Sequence, residues 1–170
     1  MSHPEFSILR SYPMKLNGKQ PGVHIEPIPL PRSGGDLIFK AAAIDDFEPF
    51  AQLCPVPNPP TKTLPGGEVI PNVEDPSYLQ ALTNHAEKRT AYMVVKGLSE
   101  ATPGLEWETV KLDDHNTWGQ YRKELCESGL SDIEVTRLVN GVMRANSLSE
   151  AAVSEALGRF LASERAPEKS

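Results

Sequence analysis

Cysteines, basic clusters and long apolar runs are all scarce in this chain of 170 residues, and each shortage excludes a class of protein. Apolar runs such as Ala41–Ile44 are far too short to cross a bilayer, and no basic segment leads into an apolar one as in an export signal. Cys54 and Cys126 are the only cysteines, which predicts free thiols in a reducing cytoplasm rather than the disulfide framework of a secreted protein. Their spacing in the sequence also permits a single disulfide between them.

The charge of the chain argues against nucleic acid as a partner. The formal net charge is −6 and the pI is about 5.2, while the lysines and arginines are scattered singly or in adjacent pairs. An acidic chain without a basic patch repels phosphate backbones. Apolar residues make up 39% of the chain, so we expect a modest core drawn mainly from the second half.

Prolines are concentrated at the front of the chain, with thirteen of the sixteen in the first 71 residues. Proline fixes φ and removes a backbone donor, so residues 1–71 are predicted to form an extended arm rather than helices. Within residues 23–44, two apolar stretches flank Gly34-Gly35, which predicts a loose β-hairpin whose proline-bearing first strand lies at an edge. Residues 54–71, with PVPNPP followed by LPGG, are predicted to be a stiff linker.

The rear of the chain carries the start and stop signals of helices. Asp75-Pro76 predicts a helix N-terminus, and this long helix is expected to end near Lys96 because Gly97 follows. Further helices are predicted to begin at Asn116 or Thr117, at the capping box Ser131–Glu134 and at Ser149. The predicted fold class is α+β and mainly α: the arm, the long helix and a small C-terminal bundle of three short helices. The helical domain covers 72–166, and 167–170 form a tail.

No residue pattern in the chain predicts catalysis or a cofactor. No histidine is spaced from another ligand as a metal site requires. The glycine pairs lack the strand, helix and lysine of a phosphate-binding loop. We therefore predict a non-enzymatic protein with no catalytic, cofactor-binding or metal-binding residues. The four histidines are His3, His24, His85 and His115.

One segment is similar to the helix-turn-helix of DNA-binding proteins. Glu124–Leu138 reads ELCESGLSDIEVTRL, with Gly129 between two short apolar-faced helices. The first turn of the second helix would have to read bases, yet it carries Asp132 and Glu134. Carboxylates there repel phosphates, so a DNA-binding regulator is only the alternative hypothesis.

Several stretches of the back half, over roughly residues 50–165, carry a resemblance to known proteins: Asp75–Tyr78, Glu87–Tyr92, Trp107–Val110, Thr117-Trp118, Glu124-Leu125, Gly129–Ser131, Val142–Leu148, Glu155-Ala156 and Phe160-Leu161. They resemble small proteins of tailed bacteriophages, namely tail assembly chaperones and small tail-module proteins encoded near the tape-measure protein.

The resemblance implies a protein that binds the tape-measure or tail-tube protein in the host cytoplasm during assembly. A structural virion component, such as a neck, tail or baseplate accessory, is the alternative hypothesis. These phage proteins have no fixed site motif, so no binding residue is carried over from them. The proline-rich front lies largely outside the similar region.

The apolar side chains of the arm are the candidate partner-binding residues. Prolines restrict how far these segments can satisfy one another in a sheet, so we expect them to dock on another surface. Strand addition is expected at Val23–Leu30 or at Leu37–Ile44. The arm folding back on its own helical half is the competing possibility. The candidates are Ile25, Ile28, Leu30, Ile38, Phe39, Phe47 and Phe50.

Overall fold

A computed structural model describes residues 14–147 and 150–165 of the chain. Within these ranges the fold is mixed α/β, with helices and two small antiparallel hairpins, which confirms the predicted class at this level. A 3-10 turn at Trp118–Gln120 leads directly into the third helix. In chain order the elements are β1 (Ile25–Leu30), β2 (Leu37–Ala42), α1 (Glu48–Leu53), β3 (Thr61–Thr63), β4 (Val69–Pro71), α2 (Pro76–Ala101), α3 (Tyr121–Glu127), α4 (Asp132–Asn146) and α5 (Glu150–Arg165).

The hairpin expected within residues 23–44 is present as β1 and β2. Its ladder includes a hydrogen bond from the Ala43 N–H to the His24 carbonyl at 2.9 Å. Bonded and non-bonded pairs alternate in an antiparallel ladder, and this bond therefore places Pro27 and Pro29 at non-bonded positions. Their nitrogens face away from β2, so neither proline costs the hairpin a hydrogen bond.

The hairpin is not a free arm, because it packs on α2 and α4. Ile28 and Leu30 of β1 are buried there, in the same core as Leu98 of α2 and Leu138 of α4. The front and rear of the chain therefore share one core. The core is drawn mainly from the second half of the chain, as expected, and the hairpin adds Ile28, Leu30 and Ala41 to it.

Two glycines inside helices let the hairpin approach closely. Gly97 was expected to end α2, but the helix continues through it to Ala101. A Cβ on Gly97 would lie 2.9 Å from the carbonyl oxygen of Ala42. A Cβ on Gly141 of α4 would lie 2.3 Å from Cδ1 of Ile28. Both glycines make room for the hairpin, and Gly97 is not a helix stop.

The segment expected to be a linker, residues 54–71, contains the second hairpin. β3 and β4 are joined by a tight turn in which the Gly67 N–H donates to the Leu64 carbonyl at 2.8 Å, and Gly67 adopts φ 85°. This φ suits glycine, which explains why the LPGG sequence makes a turn here. The strands are short and largely exposed, so this hairpin adds little to the core.

Trp118 lies at the centre of the core with no exposed surface. Its ring packs on Tyr92 of α2 and on Phe50 of α1, with centroid distances of 5.0 and 5.8 Å. Its indole N–H donates to the Leu112 carbonyl at 3.1 Å, so the polar atom is satisfied despite burial. This aromatic cluster joins α1, α2 and the turn before α3.

The predicted bundle of three C-terminal helices is only partly present. α3 and α4 pack together, and Ser131 and Glu134 form the expected capping box at the start of α4. Every described side chain of α5 is exposed, so α5 is not a packed member of a bundle. The expected cap Ser149 and the tail 167–170 lie outside the described residues.

We expect Gly97→Ala to destabilise the protein by about 1–3 kcal/mol, because a backbone oxygen would have to move to admit the methyl group. The control is Gly158→Ala in α5, where a Cβ meets nothing within 4 Å and alanine favours the helix. Urea denaturation measures both. A Gly97→Ala protein as stable as the wild type would contradict the close approach.

Trp118→Ala should lower the free energy of unfolding by about 3–5 kcal/mol, since it removes the centre of the aromatic cluster. Trp107→Ala is the matched control. Trp107 is only half-buried and donates its N–H to the Ser99 hydroxyl at 2.8 Å. Thermal unfolding followed by circular dichroism compares the two. Equal losses of stability would show that Trp118 is not the central core residue.

Candidate protein-binding surfaces

The structure divides the seven candidate partner-binding residues into three groups. Ile28, Leu30 and Phe50 are buried, so the expectation that they contact a partner is wrong for this fold. Phe39 and Phe47 are partly buried against the same core. The two that remain are exposed: Ile25 at 49% and Ile38 at 51%.

Neither edge of the β1–β2 hairpin is open for strand addition. The outer edge of β1 lacks two backbone donors, because the nitrogens of Pro27 and Pro29 face it. At the outer edge of β2, the Thr102 hydroxyl accepts from the Lys40 N–H at 2.9 Å and donates to the Lys40 carbonyl at 2.8 Å. The expected strand addition at Val23–Leu30 or Leu37–Ile44 is therefore not supported, since the backbone groups it needs are missing or occupied.

One face of the hairpin still presents apolar side chains to solvent. Side chains alternate between the two faces of a strand, so those on the face turned away from the helices come from every second residue. Along β1 they alternate with the buried Ile28 and Leu30, whereas in β2 the pattern is less regular, since Ala42, opposite Ile25, is buried. We call this surface the outer hairpin face; it consists of Ile25, Pro27, Pro29, Ile38 and Lys40, all exposed.

The loop between β1 and β2 is fixed to the start of α4. The Arg32 guanidinium bonds the carboxylate of Glu134, and the Arg32 N–H donates to Asp36 at 3.1 Å. Hydrogen bonds from Arg32, and then from the Ser131 backbone, lower the pKa of Glu134 to about 2. A second link joins Arg144 to Glu26 at 3.2 Å. These ion pairs join residues more than a hundred positions apart, and nothing in the sequence indicated them.

The contact between Arg32 and Glu134 also bears on the helix-turn-helix hypothesis. α3 and α4 are joined through Gly129 at φ 102°, as that hypothesis requires. The first turn of α4 carries Asp132 and Glu134, and the hairpin loop occupies Glu134 through Arg32. A recognition helix needs that turn free to enter the major groove. The geometry therefore gives the DNA-binding alternative no support.

α5 exposes a continuous apolar stripe, which we call the α5 face. Its four large side chains are between 46% and 57% exposed. Their spacing of four, three and one residues places them on one side of the helix. A stripe of this kind on a helix that buries nothing is an unpartnered surface. The members are Val153, Leu157, Phe160 and Leu161.

A groove of about 680 Å³ runs between the middle of α2 and the segment that leads into α3. Small residues, Ala86, Ala91 and Gly119, line part of it. Lys88 and Arg122 also line the groove, as does His115, whose Nδ1 lies 2.9 Å from the Lys88 Nζ. We call this surface the α2–α3 groove. Sequence reasoning missed it because its walls are far apart in the chain.

The wall of the groove before α3 is held by side-chain bonds to the backbone. The Glu124 carboxylate accepts from the amides of Glu108, Thr109 and Val110. The Thr117 hydroxyl accepts from the Lys111 N–H at 2.8 Å, a role different from the expected helix cap. The irregular segment that leads into α3 is therefore held in place by side-chain hydrogen bonds.

The histidines and cysteines lie in separate places. His85 Nε2 is 3.1 Å from the Cys54 carbonyl, and His24 lies 3.5 Å from Glu26. Cys54 and Cys126 are not joined by a disulfide, and burial raises the pKa of the Cys126 thiol. In the described ranges, no group of three or more His, Cys, Asp and Glu side chains is arranged to hold a metal ion. His3 lies outside those ranges.

No protein-family model, curated protein or solved structure matches this chain. Among the described helices, none combines the length and the apolar character that crossing a membrane requires. The arguments for function therefore come from the outer hairpin face, the α5 face and the α2–α3 groove.

The Arg32–Glu134 contact predicts a specific loss of stability in acid. The pKa of Glu134 falls from 4.5 to about 2 on folding, so its contribution is fully present above about 4.5 and is lost as the pH falls toward 2. Glu134→Gln removes the charge but keeps a side chain that can complete the capping box. We expect the difference in the free energy of unfolding between the wild type and this variant to shrink as the pH falls from about 4.5 toward 2. Chemical denaturation at each pH measures it, and a constant difference would contradict the contact.

Proposed function

We propose that this protein is a non-enzymatic assembly factor of a tailed bacteriophage. In its most specific form, the proposal is a tail assembly chaperone that binds the tape-measure or tail-tube protein in the host cytoplasm. The similarity of residues 50–165 to small phage tail proteins supports the identity of the partner. The outer hairpin face supports the mode of binding, and it is the single observation that carries the proposal.

The outer hairpin face suits binding because it is apolar and already rigid. The ion pairs of Arg32 and Arg144 fix the hairpin to α4, and its core-facing side is buried. A surface that is ordered before binding loses little conformational entropy on binding. Exposed apolar side chains on such a surface mark a contact site for another protein.

The partner would contact side chains rather than extend the sheet. Both edges of the hairpin are closed, by prolines at β1 and by Thr102 at β2. We expect the partner segment to offer aliphatic or aromatic side chains to Ile25 and Ile38. A carboxylate beside them would complement Lys40, which lies on the same face.

A structural virion component is the second candidate, and the shared core favours it. A hairpin fixed to the helices by two ion pairs is suited to a permanent contact as well as to a transient one. The two candidates differ in whether the protein remains in purified particles. A chaperone leaves the particle, whereas a neck, tail or baseplate accessory stays in it.

We expect the double variant Ile25→Glu/Ile38→Glu to weaken partner binding at least about tenfold, because it places two charges in an apolar contact. The test is pull-down of the tape-measure or tail-tube protein of the same virus, produced together with this protein. Val69→Glu is the matched control, since Val69 is 61% exposed on the other hairpin.

Both variants should keep the melting temperature of the wild type. Binding that survives the double variant would overturn the outer hairpin face as the site. Absence of binding by the wild type would overturn the proposed partner.

A further inference from the structure

The α5 helix has no local source of stability in the described chain. It is 16 residues long, and none of its described side chains is buried. This is only just above the length of about 12–15 residues below which isolated helices are marginal in water, and most helical stability in proteins comes from packing of an apolar face. Its ion pair between Arg159 and Glu155, at 3.9 Å, is exposed and adds little. The α5 face therefore needs a surface to cover it.

The α2–α3 groove offers a volume of about 680 Å³ and several small residues to the side chains of an amphipathic helix. Helix-in-groove binding places large side chains at i, i+4 and i+7 into an apolar cleft between elements. Val153, Leu157 and Phe160 have this spacing. Ala86 and Gly119 in the groove leave room for them, since a Cβ on Gly119 would meet nothing within 4 Å.

The charges of the two surfaces are complementary. Two cations, Lys88 and Arg122, line the groove, together with a single carboxylate, Glu87. Neither cation forms an ion pair with a described residue. At 3.6 residues per turn, Glu150 and Glu164 lie within about 20° of Leu157 around the α5 axis. The α5 face thus carries a carboxylate at each end of its apolar stripe.

We propose that the α2–α3 groove of one copy binds the α5 helix of a second copy of this chain. In the single chain every described side chain of α5 is exposed, so the helix does not occupy its own groove. Reciprocal docking gives a closed two-fold dimer with two identical contacts. The groove and the α5 face are separate from the outer hairpin face, so this dimer goes beyond the proposed function and stands or falls independently of it.

Analytical ultracentrifugation of the full chain tests the dimer. The wild type should sediment as a dimer at micromolar concentration. Leu157→Glu on the α5 face and Ala86→Glu in the groove should each weaken the dimer by about 10- to 100-fold, because each places a charge in an apolar contact. The matched controls are Ala162→Glu on the opposite side of α5 and Ala51→Glu on α1, both at exposed alanines, and both should remain dimeric.

A mixing experiment identifies which surfaces meet. The Ala86→Glu protein keeps an intact α5 face, and the Leu157→Glu protein keeps an intact groove. Each is expected to be monomeric alone, while a mixture of the two should form heterodimers through the single undamaged contact. This contact would be weaker than the two contacts of the wild type.

Three outcomes would overturn the proposal. A dimer that survives Ala86→Glu but not Leu157→Glu would mean that two α5 helices pair with each other. A monomeric wild type whose melting temperature falls in both variants would mean that α5 covers its own groove. A monomeric wild type unaffected by either variant would mean that the α5 face belongs to a different protein.

Discussion

The close packing of the β1–β2 hairpin on α2 and α4 is the contact on which the rest of the structure depends. Gly97 and Gly141 remove the side chains that would hold the hairpin away from the two helices. Ile28 and Leu30 then enter the core, and the loop that joins the strands reaches the start of α4. Without this approach the front of the chain would expose its apolar residues, and α2 and α4 would each leave a face uncovered.

The same packing determines which surfaces are left for partners. The hairpin turns one face to the helices, and on the opposite face Ile25 and Ile38 remain exposed to solvent. The prolines of β1 occupy positions where they cost no internal hydrogen bond and close the outer edge. An exposed apolar sheet face with closed edges limits uncontrolled pairing with other strands while it still offers side chains to a partner.

Much of the local structure could be predicted from the sequence, because caps and turns depend on neighbouring residues. Asp75 accepts from the Tyr78 amide at 2.9 Å at the start of α2, and the capping box of α4 is present as expected. The errors arose where a distant element decided the outcome. Gly97 has the local pattern of a helix stop, yet its role is to admit Ala42, which is far away in the sequence. Local pattern carries no information about such an approach.

For the candidate site too, the sequence indicated local segments but not the contacts between distant elements. The sequence indicated two apolar strands, but it did not say which of the two alternating sets of side chains would meet the helices. Ile28 and Leu30 belong to the buried set and Ile25 and Ile38 to the exposed set, a division made by α2 and α4. The groove was invisible because its walls meet only when Glu124 and Thr117 fix the segment before α3.

The contrast between the rigid hairpin and the unpacked α5 suggests two different modes of binding. A surface held by a core and ion pairs presents the same side chains before and after binding, which favours specificity for one partner. A marginal helix gains its order only on docking, so its contacts are easier to exchange. On the two proposals above, the hairpin contacts the client and α5 joins two copies of the chain. Dissociation of α5 would then separate the copies, while each folded core keeps its recognition surface.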